Sequence, residues 1–543
     1  MTGTPREGMT ETLREGMTET PLEEKGAFRE NGPWRVDPER LAWAHGLTEL
    51  RAASRACVAP LVRPRRLPPI GRFLEAGGRI GVALGGWALR ERRSGGSASA
   101  SGLSRRLRRA FERLGPSYIK LAQIVSSGRG LFPAELVEEF KLCRDRVPPE
   151  PFEAVRRVVE EDLGRPLEQV FRRFDETPLA AASIAQVHVA TLASGEEVVV
   201  KVQRPRVRER VERDIAVMAW IAPHLVGRIP VAALANPPAL VELFAETIVE
   251  ELDFRLEAEN MLDIARVLHE AAQRGVLVPR PHPELVTRRV LVMERLSGFS
   301  TDRVEDMRAG GIDTAAVIRS LYVAFLEGAL IYGVFHGDLH GGNLAVTPEG
   351  RVVLFDHGIT GRLDPRERVA FLRLMMTGAV NDLRGQLEAF RDLGALPANA
   401  DLEATAKLLR LDQPVRDPTR LSSEELVQEI QRVVKGLLAQ GARLPKPLML
   451  YVKGMLFFDG AVAAMAPDLD LFEELGRVYA YFATHHAEQI LRDVGFDPGG
   501  AVPDPSGLRA SLGLEADVER ITPRELQRRR EILRERLEDA GSD

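Results

Sequence analysis

Apolar residues recur at helical spacing between Ser104 and Glu150, through LRRAFERLGPSYIKLAQIV and again through ELVEEFKLC, which predicts two or more helices. The period changes after Pro178. There AASIAQVHVATLASGEEVVVKVQRP predicts two strands around a turn at Ser194 to Glu196, the second being the β-branched run Val198 to Val202. Helical spacing returns at Arg206 to Val226 and at Leu240 to Leu268, and RRVLVMERL (Arg288 to Leu296) predicts one more strand. Beyond Asp313 the pattern is mainly helical, with short strands expected at Asn343 to Val346 and Val352 to Phe355. A strand-rich lobe therefore precedes a helix-rich one, an α+β arrangement.

The flanks are less periodic. REGMTET occurs twice in an acidic, polar setting, so residues 1–35 are expected to form a disordered tail. Residues 36–103 are Arg-rich. Within them RFLEAGGRIGVALGGWALRERR (Arg72 to Arg93) has an apolar centre with Trp87 between arginines, a composition suited to an anionic membrane surface. Its five glycines favour instead a segment packed through close backbone contacts. GGSASASG (Gly95 to Gly102) has the composition of a flexible linker. The remaining boundaries fall at 104–177 for a helical extension, 178–297 for a small lobe, 298–480 for a large helical lobe and 481–543 for a polar C-terminal tail.

At 543 residues the chain exceeds one ordinary core, which excludes a single small binding module. With 74 basic against 79 acidic residues it carries a net charge of −5, so no general positive field draws it to nucleic acid. Cys57 and Cys143 form neither a CxxC pair nor a disulfide framework, which suits a reducing, cytoplasmic setting. The polar start lacks the apolar centre of an export signal, and no uncharged run reaches the roughly 18 residues of a membrane span. A peripheral position at the inner face of a membrane stays compatible with these features.

The candidate chemistry lies in GVFHGDLHGGNLAVTPEGRVVLFDHG, Gly333 to Gly358. Asp338 is followed by Asn343, and Asp356 closes an apolar strand with Gly358 just beyond. That order matches a kinase site, in which one Asp orients the attacking hydroxyl, Asn binds Mg²⁺ and the Asp of a DxG turn bridges metal and phosphates. A polar turn whose side chains merely cap backbone amides is the plainer alternative. A second alternative takes His336, His340, Asp338 and His357 as a zinc or iron site of a metal-dependent hydrolase. Upstream residues favour the kinase-like arrangement. Lys201 stands in VVVKV, placed for the α and β phosphates of ATP, and Glu257 in ELDFRLEAEN is its expected ion-pair partner. Lysine is scarce here, with eight in the chain, which makes one inside an apolar strand more telling than an edge-strand charge facing solvent.

No glycine-rich loop precedes Lys201; Ala180, Ala181, Ala182 and Ser183 stand where glycines would be. This alanine-rich loop, with LGPSYIKLAQ, ELD, KVQRP, MERLSG, HGDLHGGN and DHG, resembles the ABC1/ADCK/UbiB family of atypical kinase-like proteins from about Leu114 to about Pro467. The resemblance implies a two-lobed protein-kinase-like fold with KxGQ-type helices packed over the site. It assigns Lys120 and Gln123 to the KxGQ segment and Glu251 and Asp253 to the ExD motif, with the lysine contacting the ExD acid, and Met293 and Glu294 to the hinge that meets the adenine. It also implies ATPase activity in preference to protein phosphorylation, and a link to quinone or isoprenoid lipid metabolism. The chain departs from the family pattern at Ala122, Gly128, Gly130, Gly341 and His357, which touches the lid more than the nucleotide site.

The expected function is Mg²⁺-dependent ATP binding with slow hydrolysis or transfer to a small or lipid-derived acceptor. Asp338, Lys201, Glu257, Lys120 and Glu251 would act in catalysis, and Asn343 and Asp356 would hold the metal. A nucleotide-responsive scaffold serving lipid-synthesis enzymes without turnover is the alternative.

Overall fold

The structure, a computed structural model, describes residues 27–64, 66–92, 96–126, 134–143, 148–225, 237–409, 421–422, 425, 440–442, 445–495, 506, 509, 514 and 518–540. Gly128 and Gly130 lie outside the described residues.

The small lobe is a six-stranded sheet of β1 (Phe171–Phe174), β2 (Ala180–Ala181), β3 (Ala185–Leu192), β4 (Glu197–Gln203), β6 (Pro281–Val286) and β7 (Val290–Glu294). Its order is β1-β3-β4-β7-β6, with β2 on β3, and all its pairs are antiparallel. β4 is central and buried on both faces, which is why Val198 to Val202 read as a continuous apolar run and not as an alternation. One face packs on the helix Phe152–Leu163 through Val155, Val158 and Val159; the other joins the main core. Lys201 thus sits in the middle strand, and the edge-strand alternative is excluded.

The large lobe holds a four-stranded sheet, ordered β5 (Val276–Leu277), β11 (Val352–Leu354), β10 (Leu344–Val346) and β8 (Phe299–Ser300), and the pair β9 (Val334–His336) with β12 (Thr360–Arg362). The helices that matter for the site are α1 (Ile70–Arg90), α2 (Gly96–Leu114), α3 (Pro116–Ser126), α4 (Val207–Leu225), α5 (Pro237–Glu251), α6 (Phe254–Glu270), α7 (Thr314–Glu327), α8 (Lys446–Met465), α9 (Leu471–His485), α10 (Ala487–Val494) and α11 (Pro523–Ala540). The architecture is the expected two-lobed α+β fold.

Several expectations are corrected. The helical stretch Leu240 to Leu268 is two helices, because Asp253 leaves helical geometry and caps α6 by accepting from Arg255 N at 3.2 Å. The Gly/Ser segment is no linker but the start of α2. There Ser99 is buried, its carbonyl accepts from Trp87 Nε1 at 3.0 Å, and Gly102 lets the helix approach Glu91 of the neighbouring turn. Residues 27–35 are not a loose tail: Ala27 O accepts from Val278 N at 3.1 Å, Phe28 is buried, and Trp34 Nε1 donates to Pro281 O at 3.1 Å. The C-terminal region 481–543 contains the end of α9, α10 with buried Ile490, and α11. Along α1, a Cβ at Gly71, Gly77, Gly78, Gly81 or Gly85 would meet nothing within 4 Å, so these glycines are not packing positions; Gly86, against Arg106, is. Among the described residues, two helices are long and apolar enough to cross a membrane by length and composition, Thr314–Tyr332 and Lys446–Met465. Of these windows 72% and 33%, respectively, is buried inside the protein, so the first is a core helix.

Candidate functional site

The site is assembled from β4, the ends of α5 and α6, the loop after β9 and the turn after β11. Lys201 Nζ lies 2.6 Å from Glu257 Oε1 and 3.0 Å from Asp356 Oδ1, so one buried ammonium joins the small lobe to both the first turn of α6 and the large lobe. Burial alone would lower the Lys201 ammonium, but Asp356 and Glu257 hold it well above the ordinary lysine range. Burial pushes the Glu257 carboxyl up to about 7. For Asp356 burial acts upward too, yet Lys201 and Lys120 outweigh it and keep the carboxylate charged.

Asp356 has φ +48°, a left-handed conformation costly for a residue with a Cβ. Its Oδ1 accepts from Gly358 N at 3.2 Å, which closes the DxG turn. Gly358 sits in close quarters, since a Cβ there would stand 3.2 Å from Asp356 Oδ1 and 3.4 Å from Glu251 Cγ. His357 packs edge-on to His336 with centroids 5.1 Å apart, and burial and His336 hold it neutral.

After β9, His336 Nδ1 accepts from Asp338 N at 3.3 Å and Nε2 faces Phe355 O at 3.2 Å. His340 Nδ1 accepts from Gly342 N at 3.1 Å and caps the short turn Gly341–Asn343. These imidazoles are held by the backbone, and among the described residues no three His, Cys, Asp or Glu side chains converge as metal ligands. The zinc or iron hydrolase alternative therefore has no site to rest on. Asn343 Nδ2 donates to Asp338 O at 3.0 Å, fixing the loop between them. Asn343 and Asp356 carry the hard oxygen donors that Mg²⁺ takes, and the Asp356 side chain is half-exposed.

Lys120 of α3 meets Glu251, the last residue of α5, at 2.9 Å, with Glu251 buried and Lys120 mostly so. Burial would lower Lys120, but Glu251 and Asp338 hold it well above its ordinary range, while burial pushes Glu251 up. Ala122 is fully buried, and Gln123 lies one turn from Lys120 on the same helix.

The alanine segment forms β2 and a tight turn: Ala180 and Ala181 pair with Val187 and Gln186, Ala182 N donates to Ala185 O at 2.8 Å, and Ser183 is buried. Arg204, the arginine of KVQRP, donates to Ala182 O of this turn at 3.0 Å and pairs with Glu150 at 3.1 Å. Met293 pairs with Val199 across β7 and β4. The Glu294 side chain is not offered to a ligand, because it is fully buried and lies 2.9 Å from Arg29 and 3.7 Å from Arg280. Sequence reasoning also missed Lys453 of α8, whose ammonium bonds Asp338 Oδ1.

Residues 142–389 match the family described as ABC1 atypical kinase-like domain. An uncharacterized protein of Mycobacterium tuberculosis is 34% identical over 401 residues, covering 70% of this chain and 78% of its own length. An uncharacterized aarF domain-containing protein kinase of Arabidopsis thaliana, chloroplastic, is 32% identical, with 68% and 73% covered. The protein named "Probable protein kinase UbiB" of Aeromonas hydrophila is 31% identical, with 68% and 69% covered.

Proposed function

This chain belongs to the ABC1 atypical kinase-like family, and from that premise we propose that it binds ATP with Mg²⁺ and either hydrolyses it slowly or transfers its phosphate to a small or lipid-derived acceptor. The observation that carries the proposal is the buried Lys201 ammonium shared between Glu257 and Asp356, at 2.6 and 3.0 Å. A structural ion pair needs one carboxylate; a second, on a strained turn open to the cleft, suits a lysine that hands over to phosphate oxygens. Asn343 and Asp356 would hold Mg²⁺, which supplies neutralisation of phosphate charge when bound. Asp338, kept charged, would orient the attacking hydroxyl or water, and Lys120 with Glu251 would roof the cleft.

The test is thermal stabilisation by ATP with and without Mg²⁺, together with ADP release from the same preparation. Stabilisation that requires Mg²⁺ and accompanies steady ADP release supports the enzyme. Stabilisation without ADP release leaves the nucleotide-responsive scaffold, and neither response refutes both.

Relatives bearing the name UbiB support a role in quinone or isoprenoid lipid metabolism. A peripheral position on an anionic membrane accords with this role. Leu67, Ile70, Leu74, Val82 and Leu89 are 63–85% exposed on or beside α1, and a cavity of about 780 Å³ next to them is lined by Arg72, Arg206, Arg210 and Arg213 together with Glu75 and Glu209. Flotation with liposomes containing or lacking anionic lipid tests this; absence from both would reject it.

A further inference from the structure

The chain has eight lysines, and three of them, Lys120, Lys201 and Lys453, end on carboxylates of one cleft. The first two come from elements already assigned to the site. Lys453 comes from α8, 115 residues beyond Asp338, and belongs to no motif.

The packing of α8 brings it there. Gly454 allows α8 to lie against α7 so closely that a Cβ would stand 2.6 Å from the Phe325 ring. That ring cannot retreat, because Tyr451, Phe335 and Phe458 pack around it at centroid distances of 5.3–5.5 Å. One turn earlier, Leu450 approaches the Cβ position of Gly337, the residue before Asp338, to 3.2 Å. Leu450 and Lys453 are three residues apart and share a face of α8. The same face that supports the backbone of the loop therefore delivers the ammonium to its carboxylate.

We propose that Lys453 is a positioning residue for phosphoryl transfer: it holds Asp338 by Oδ1 so that Oδ2 is directed to the nucleophile. This inference rests on the phosphoryl-transfer reading given above. Lysine suits the role better than arginine, because a compact point charge engages one oxygen, whereas a guanidinium fork would engage both. The cleft also gathers Asp338, Asp356, Glu251 and Glu257, and Lys453 gives Asp338 a positive partner distinct from those of the other three.

The experiment compares Lys453→Met and Lys453→Arg with the wild-type full chain, measuring MgADP affinity, ADP release and the unliganded thermal midpoint. Lys453→Met is expected to keep MgADP affinity within about threefold while ADP release falls on the order of 100-fold, the usual cost of losing alignment at a reacting centre. Lys453→Arg should recover about tenfold of that loss, a rescue that mere packing would not give. Wild-type turnover in Lys453→Met overturns the proposal. So does a Met variant that loses MgADP binding and thermal midpoint together while the Arg variant does the same. Wild-type protein that neither binds MgATP nor releases ADP overturns the phosphoryl-transfer reading beneath it.

Discussion

Lys120 Nζ lies 2.9 Å from Glu251 Oε1, so a helix outside both lobes contributes a charge to the wall of the cleft. Glu251 is buried, and Gly358 of the DxG turn packs on the same glutamate. Lys120→Arg keeps the charge but changes its reach, and is expected to shift MgATP affinity or ADP release several-fold with little change in the unliganded melting temperature. Wild-type values of affinity and rate in this variant would leave Lys120 without a part in the site.

Asp356→Asn should abolish most of the Mg²⁺-dependent part of ATP stabilisation, since it removes the charge that would bind the metal. Asp338→Asn should leave binding nearly intact and lower turnover. Differential scanning fluorimetry and an ADP assay separate the two; equal MgATP binding by Asp356→Asn and wild type would refute the metal assignment.

Replacing Lys201 by Met leaves Glu257 buried without its 2.6 Å partner. Breaking a buried pair from one side costs about 3–5 kcal/mol. The double variant Lys201→Met, Glu257→Gln should therefore be more stable to denaturant than Lys201→Met alone, with nucleotide binding impaired in both. If the second substitution destabilises further, the pair is not the unit described.

Acid should loosen the docked N-terminal segment. Trp34 packs against the His282 ring at 4.8 Å and Trp43 Nε1 donates to His282 O at 3.2 Å. His282 Nδ1 accepts from Glu284 N and Leu285 N at 3.0 and 3.1 Å, which requires that nitrogen unprotonated, and burial pushes the imidazole from 6.5 down to about 4. The unfolded chain takes up this proton below 6.5 while the folded chain does so only near 4, so the unfolded state binds more protons between these values. Its contribution to stability is complete above 6.5 and is lost as pH falls towards 4. Because an Asn side chain can accept the same local amides, His282→Asn should flatten this part of the melting-temperature profile. An unchanged profile would show that His282 has no such role.

Much of the site was legible because its residues are close in sequence to the elements that hold them. The β-branched run fixed Lys201 in a strand, and the spacing of Asp338, Asn343 and Asp356 is set by one loop, β10 and β11. Long-range partners left no such trace. Lys453 reaches Asp338 only because Gly454 and Phe325 set the approach of two distant helices. The start of α2 misled for the complementary reason: glycine and serine weaken an isolated helix, but here their small size admits Trp87 and Glu91 of the neighbouring segment, and tertiary contact overrides propensity. Arg280, fully buried, pairs with Glu294 and bonds the carbonyls of Arg29 and Trp34, contacts that hold the N-terminal segment in place without any local periodicity.

The carboxylates around Lys120 and Lys201 also govern how these amines meet a reagent. Acylating probes attack the neutral amine, and each of these two nitrogens is held protonated well above the ordinary lysine range. In the intact protein both should therefore resist labelling while the more exposed Lys141 is modified. Mass-spectrometric mapping of acylated peptides would then report the electrostatic integrity of the cleft without any nucleotide present: neutralising Asp356 or Glu251 should bring Lys201 or Lys120, respectively, into the labelled set.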